Sequence, residues 1–305
     1  MIETQILKPN KYSLEQEREK FIPLMCDFID KFDFTKESIT GRPSADINDI
    51  LKCLLMMSYT STSYRRSRSD INKMLEEGMI KTIPSRSVLN KYSNSEKIKK
   101  ILENLIQTSA LFFLDTDSTL ILDSTWLATK MYGGGYRQVY NRETDNMKKT
   151  RKLHIACFKE SKIIAYAVTT EGTSNDVLHF SNMINITHKN GFNIKRVIAD
   201  AGYCSKENYA ICYDIGINDV YPKFRSNSTL KRPKSFIWKE KLDLYRNHPD
   251  VWREAYKYRA IVEGIFSAIK RKNLNYLRSK KIAARDCELL LKALVYNLTI
   301  IAKHF

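Results

Sequence analysis

STLILDST (118–125) opens a series of short apolar runs that continues with KLHIACF (152–158), KIIAYAVT (162–169), RVIADAG (196–202) and NDVYPKF (218–224). Each is rich in β-branched or aromatic residues and bounded by polar residues, Gly or Pro, the pattern of a buried strand. Two helical stretches interleave with them. NDVLHFSNMINITHKNG (175–191) and SKENYAICYDIG (205–216) both end at a glycine, which stops a helix by turning left-handed. Three strands, helix, strand, helix, strand and a later long helix predict a mixed α/β layer fold after residue 113.

Upstream, residues 1–112 read as all-helical. Apolar positions recur at three- and four-residue steps from Leu14 to Phe32, in DINDILKCLLMMSYT (46–60) and in NSEKIKKILENLIQTSALFF (94–113). Within this part, SRSDINKMLEEG (67–78) and IPSRSVLNKY (83–92) outline a helix ending at Gly78, a connection, and a second helix opened by Ser85 or Ser87. That is a helix-turn-helix outline whose second helix would enter a major groove, and an ordinary helical pair fits it as well. Gly41-Arg42-Pro43 reads as a turn before a helix at Asp46, with minor-groove contact as the alternative.

The balance of 51 Lys+Arg against 34 Asp+Glu leaves a formal charge of +17 over 305 residues. With 43% hydrophobic residues the chain can fill real cores, so this is no disordered basic tail. Ten Gly and seven Pro exclude a collagenous or linker-like composition. No run approaches the roughly 18 apolar residues of a membrane span. A folded protein with an anionic partner remains. Nucleic acid leads, because Lys/Arg that neutralise phosphates release counterions.

The six cysteines (26, 53, 157, 204, 212, 287) form no C-x-x-C pair, and the five histidines show no H-E-x-x-H spacing, which argues against structural zinc. Any metal would fall to carboxylates. MIETQILKPNKYSLEQER (1–18) lacks the layout of a secretory signal, so a reducing cytosol and free thiols are expected.

The basic excess is concentrated. Pro222 to Lys281 carries 17 Lys/Arg against five Asp/Glu, and Trp238, Trp252 and several tyrosines stand among them. Cations interleaved with aromatics suit phosphate contact and base stacking, although either Trp is more simply a core residue. WREAYKYRAIVEGIFSAIKRKN (252–273) crosses this segment. Read as one helix, it places Tyr256, Arg259, Glu263 and Lys270 within about 60° of one another at 100° per residue, opposite Ile261, Ile265, Ala268 and Ile269. Glu263 is the only acid on that stripe, where a surface ion-pair ladder is the plain alternative.

Two further acids end apolar runs: Asp123 after LIL and Asp200 after RVIA. Acids at strand carboxyl ends project to the rim where open α/β sheets bind ligands, though each fits equally as a helix cap or turn residue. With Glu263 they supply the hard oxygens preferred by Mg²⁺. Two such ions would activate an attacking oxygen and stabilise a leaving one in a phosphoryl displacement.

ILDST (121–125), IADAGY (198–203) and Y-x2-R-x3-E-x6-K, met by Tyr256, Arg259, Glu263 and Lys270, resemble the DDE transposases of insertion sequences that carry this Y-R-E-K signature. The resemblance runs from about residue 40 to the end, including a closing Tyr296-Asn297-Leu298 helix. It implies an RNase H-like mixed sheet flanked by helices, behind an N-terminal all-helical DNA-binding domain. The division becomes 1–112 for DNA-end binding and 113–305 for the DDE catalytic domain with basic final helices. Asp123, Asp200 and Glu263 become metal ligands for two Mg²⁺ ions, for which Mn²⁺ would substitute.

The implied chemistry is cleavage at the element's ends, then attack of the freed 3′-hydroxyl on target DNA. Tyr256, Arg259 and Lys270, with Arg253 and Lys272 beside them, become contacts to transposon-end DNA. The implied partners are double-stranded DNA (terminal inverted repeats and target) and a second copy, as a homodimer or larger synaptic assembly. The implied setting is the prokaryotic cytoplasm, at the nucleoid and away from membranes.

Some relatives carry a long β insertion before the last acidic helix, and residues 225–252 leave little room for one. His154 fits a satisfied strand histidine or a site role. Asn175 and Asp176 read as a cap for the helix that follows, with proximity to the metals as the alternative. A transposase-derived DNA-binding or regulatory protein that no longer cuts would explain the basic surface, and a structure-specific RNase H-like nuclease would explain the acids but not the stripe.

Overall fold

The computed structural model describes residues 14–34, 45–128, 150–224, 236–272 and 276–304. Gly41-Arg42-Pro43 and the side chain of Lys272 lie outside the described residues. The chain divides into two compact units, one formed by Met1–Leu102, Lys272–Leu274 and Ser279–Phe305, the other by Glu103–Arg271 and Asn275–Arg278.

The first unit is helical: α1 (Leu14–Asp30), α2 (Ile47–Tyr59), α3 (Arg68–Glu76), α4 (Arg86–Ser93), the start of α5 (Glu96–Ala110) and α11 (Ile282–His304). Asp46 caps α2 by accepting from the Asn48 N–H at 2.8 Å. Ser85, rather than Ser87, caps α4 by accepting from the Val88 N–H. Gly78 leaves α3 at φ +72, a conformation that favours glycine. The α3–α4 connection is held to α2 from below. Buried Asp49 accepts from the backbone N–H groups of Lys81 and Thr82 and from the Thr82 hydroxyl, while Lys52 reaches Asp30 and the Met79 carbonyl.

The expected boundary at 112/113 follows chain order, but packing follows apolar faces. α11 buries Leu289, Leu290, Leu294, Val295, Leu298 and Ile301, and it packs against α1, α2 and α4. A helix apolar around most of its circumference must be enclosed, and the N-terminal helices enclose it.

The second unit is built on a five-stranded sheet in the order β3-β2-β1-β4-β5: β1 (Thr119–Leu127), β2 (Arg151–Phe158), β3 (Ile164–Glu171), β4 (Arg196–Ala199) and β5 (Asp219–Pro222). β1–β2 and β2–β3 are antiparallel, and β1–β4 and β4–β5 parallel. All five expected strands are present, in a mixed sheet flanked by helices. The β1–β4 register pairs Leu122 with Ala199, so Asp123 and Asp200 follow at neighbouring positions.

α6 (Phe180–Lys189) follows a 3₁₀ turn (Asp176–His179) and stops at Gly191, φ +93. α7 (Lys206–Asp214) is capped by Ser205. Beyond β5 come α8 (Phe236–Asn247), α9 (Pro249–Tyr256), a 3₁₀ turn (Lys257–Arg259) and α10 (Ala260–Lys272). The single helix expected over 252–273 is therefore two helices joined by a tighter turn, which packs against β4. α10 buries Val262, Ile265, Phe266 and Ile269, and Ile261 and Ala268 are only half-buried.

Trp238 and Trp252 are 8% and 3% exposed. They pack with Phe224, whose ring centroid lies 5.0 and 5.5 Å from theirs. They are core residues, and the base-stacking alternative is set aside because their faces are covered. Among the described residues no helix is long and apolar enough to cross a membrane. All six cysteines are free thiols.

Candidate active site

Asp123 does not end its strand, as its sequence suggested; β1 continues to Leu127. Parallel pairing to β4 stops at Leu122, and this break places Asp123 at the rim of the parallel pair. Asp200 is the first residue past β4, where it occupies the cap position of a 3₁₀ turn (Ala201–Tyr203) without making a side-chain capping bond. The capping alternative is thus unused and its carboxylate is turned to other partners. Glu263 lies in the first turn of α10.

Arg259 draws all three acids together. Its guanidinium donates to Asp123 Oδ2 at 2.8 Å and Glu263 Oε1 at 2.7 Å, and its Nε stands 3.7 Å from Asp200 Oδ1. The planar fork lets one side chain serve several carboxylates at once. That Nε is buried without a hydrogen-bond partner. Tyr256 completes the cluster by donating to Asp200 Oδ1 at 3.4 Å; burial, followed by the opposing pull of Arg259 and the push of Asp200, leaves its phenol raised and so a donor at neutral pH.

Exposure is graded across the trio. Asp123 is buried at 8% side-chain exposure, Asp200 stands at 40% and Glu263 at 60%. Burial pushes the Asp123 carboxyl up to about 6 against the counterpull of Arg259 and the Ser124 N–H, with Asp200 and Asp176 adding to the rise. A buried acid raised toward neutrality beside an arginine makes this cluster the candidate site.

The remaining candidates separate. Lys270 is half-buried on α10, and burial lowers its ammonium pKa. Arg253 pairs with Asp250 at 2.5 Å on the exposed side of α9 and is not brought to the acids. His154 is fully buried, with Nδ1 3.1 Å from the Tyr203 hydroxyl and Nε2 2.9 Å from the Thr170 hydroxyl. Burial, with His179 and Lys152, depresses it to about 3, so it is a neutral, satisfied strand histidine.

Asn175 makes no side-chain capping bond. Asp176, read from sequence as its partner in the cap, instead accepts from the Ser124 hydroxyl at 3.2 Å and pairs with Lys152. Sequence reasoning passed over Ser124, Lys152 and Gly202 entirely. Strand register, which sets Ser124 opposite His154 and Lys152 opposite Trp126, places the first two, and the turn after β4 places Gly202.

The donor set suits a hard divalent cation, since three carboxylates reach one guanidinium. Among the described residues, however, no three metal-ligating side chains stand at coordinating spacing, and the Arg259 guanidinium lies among the oxygens that would do so. Asp123, Asp200 and Glu263 would hold such an ion with Arg259 drawn aside.

A family model for a transposase DDE domain matches residues 115–298. No curated protein matches the sequence significantly. In structure the chain is similar to a piggyBac transposase synaptic complex with hairpin DNA, at 13% identity and a TM-score of 0.45 over 96% of this chain and 73% of that one. It is also similar to the Drosophila P element transposase strand transfer complex, at 13% identity and a TM-score of 0.31 over 92% and 70%. The family match spans the sheet, all three acids and most of α11, and the chain belongs to the transposase DDE domain family.

Proposed function

We propose that this transposase cleaves DNA at the ends of an insertion sequence and joins the freed 3′-hydroxyl to target DNA, with Asp123, Asp200 and Glu263 holding two divalent cations, Mg²⁺ or Mn²⁺. The observation that carries this reading is the convergence of three acids, from β1, the end of β4 and α10, on Arg259. The chemistry supplied by bound divalent cations is activation of the attacking oxygen and stabilisation of the leaving one.

The chain's own residues do the positioning. A scissile phosphate brings negative charge to a site that already holds three carboxylates, so cations must meet it. Arg259 offers a partly exposed guanidinium, Tyr256 a phenol kept protonated, and Lys270 a half-buried ammonium. Arg253 and Lys272 extend the cationic surface along the DNA backbone and contribute to affinity without reading sequence. The helical region 1–112 would bind the terminal inverted repeats, with α4 as the groove-reading helix. Two ends brought together call for at least a dimer.

The test is joining of a pre-cleaved terminal-repeat duplex to a supercoiled plasmid. A 3′-hydroxyl end should join with Mg²⁺ and a 3′-deoxy end should not. Joining that is indifferent to the 3′-hydroxyl would refute the strand-transfer reading. Specific end binding with no cleavage or joining would mark a regulatory DNA-binding protein instead.

A further inference from the structure

Behind Asp123, on the alternate face of β1, lies a second polar cluster for which the proposed chemistry has no role. Successive strand residues point to opposite faces, so Ser124 faces away from Asp123 and toward His154, its β2 partner. Asp176 sits there. Its Oδ1 accepts from the Ser124 hydroxyl at 3.2 Å and lies 3.4 Å from His154 Nδ1, and it pairs with Lys152, itself 5% exposed. The neutral His154 leaves Lys152 as the charge that balances it.

Its other oxygen meets the turn after β4. A Cβ placed on Gly202 would come within 2.6 Å of Asp176 Oδ2, 3.2 Å of its Cβ and 3.3 Å of its Cγ. Gly202 does not carry a positive φ, so the need for glycine here is one of space. The carboxylate has little freedom to withdraw, because Ser124 and Lys152 hold it.

Asp176 thus touches residue 124, one after Asp123, and residue 202, two after Asp200. The Ser124 N–H donates to Asp123 Oδ1 at 2.8 Å, and the Tyr203 N–H closes the turn on the Asp200 carbonyl at 3.0 Å. A single side chain therefore fixes the backbone from which both catalytic carboxylates project. We infer that Asp176 is a positioning residue for the cleavage reaction, setting the relative placement of Asp123 and Asp200 through Ser124 and the close approach of Gly202. It rests on the transposase reading above. Displacements of an ångström in such a constellation cost about 10- to 100-fold in rate.

The experiment is a double-mutant cycle of Gly202→Ala and Asp176→Ala, read as nicking of terminal-repeat DNA per end-binding-competent molecule and, separately, as the unfolding midpoint. Gly202→Ala should lower kcat about 10- to 100-fold with KM for end DNA unchanged. In the Asp176→Ala background it should have no further effect on kcat or midpoint, because the group it displaces is gone. Ser124→Ala, which removes the hydroxyl that Asp176 accepts from, should lower kcat in the same direction and guards against Asp176→Ala failing to fold.

Equal costs of Gly202→Ala in both backgrounds, or full kcat in Ser124→Ala and Asp176→Ala, would overturn the proposal while leaving the transposase reading intact. A wild-type protein that binds ends but does not nick would overturn both.

Discussion

The guanidinium of Arg259 donates to the carboxylate of Asp123 at 2.8 Å, joining residues 136 apart in sequence across the rim of the sheet. The same group bonds Glu263 at 2.7 Å, so one cation holds the most buried and the most exposed acids of the trio. A guanidinium among three carboxylates offsets their mutual repulsion.

Removing that cation should leave Asp123 buried beside other acids. Arg259→Ala is expected to lose on the order of 2 kcal/mol at pH 8, as broken buried pairs do, discounted because the guanidinium is partly exposed. Arg259→Lys should recover little, because a point charge cannot reach several carboxylates as a planar fork does. Chemical denaturation of the three proteins checks this, and a stable Arg259→Ala would count against the bridge.

Competition between Arg259 and metal should be visible without catalysis. A cation that binds the folded state raises its unfolding midpoint by mass action. In Arg259→Ala, the rise produced by Mn²⁺ should exceed that of the wild type, because the carboxylates are no longer engaged. In Asp123→Asn it should largely vanish. A thermal-shift titration with Mn²⁺ measures both.

The raised Asp123 carboxyl sets a pH dependence with a definite sign. Its value is about 6 in the folded protein against 3.8 for the ordinary group. Between pH 4 and 6 the folded state holds a proton that the unfolded chain has released. Its contribution to stability therefore falls as pH rises, reaching a full penalty of about 3 kcal/mol above pH 6. Asp123→Asn should raise the unfolding midpoint at pH 8 and lose that advantage near pH 4. Unfolding curves across this range supply the test.

Buried Asp49 satisfies three donors from the connection between α3 and α4. Asp49→Ala should cost about 2–3 kcal/mol by leaving those donors unmet, and should weaken end binding by disturbing the approach to α4. Denaturation together with a mobility-shift assay would show it. Normal end binding in a destabilised variant would argue that α4 does not read DNA.

Trp252→Ala should behave as a core truncation. With the ring 3% exposed and packed on Tyr221 and Phe224, a loss of about 3–5 kcal/mol is expected. 2-Aminopurine at the cleavage site should report no quenching that depends on this ring.

The strands were legible because their information is local: an apolar run of strand length reads the same in any context, and two of these runs carry Asp123 and Asp200 to neighbouring positions. The break between Tyr256 and Ala260 was not, since AYKYRA contains neither Gly nor Pro and fits a continuous helix. The stripe brings Tyr256, Arg259 and Glu263 near one another, although its helical geometry holds only from Ala260 onward. Asp176 was read as a cap because Asn-Asp before a helix favours capping locally. Its actual partners, Ser124 and Lys152, depend on strand register, which no local pattern encodes. The docking of α11 among the N-terminal helices was hidden for a related reason, because an apolar face does not announce its partner.

The most direct test of the account is nicking of DNA carrying the element's terminal repeats by wild type, Asp123→Asn, Asp200→Asn and Glu263→Gln, at matched end occupancy with Mg²⁺. Three acids acting as one unit should each be indispensable, so every variant is expected to bind ends normally and to lose nicking by at least about a thousandfold. Wild-type nicking by any one of them would contradict the assignment of the site.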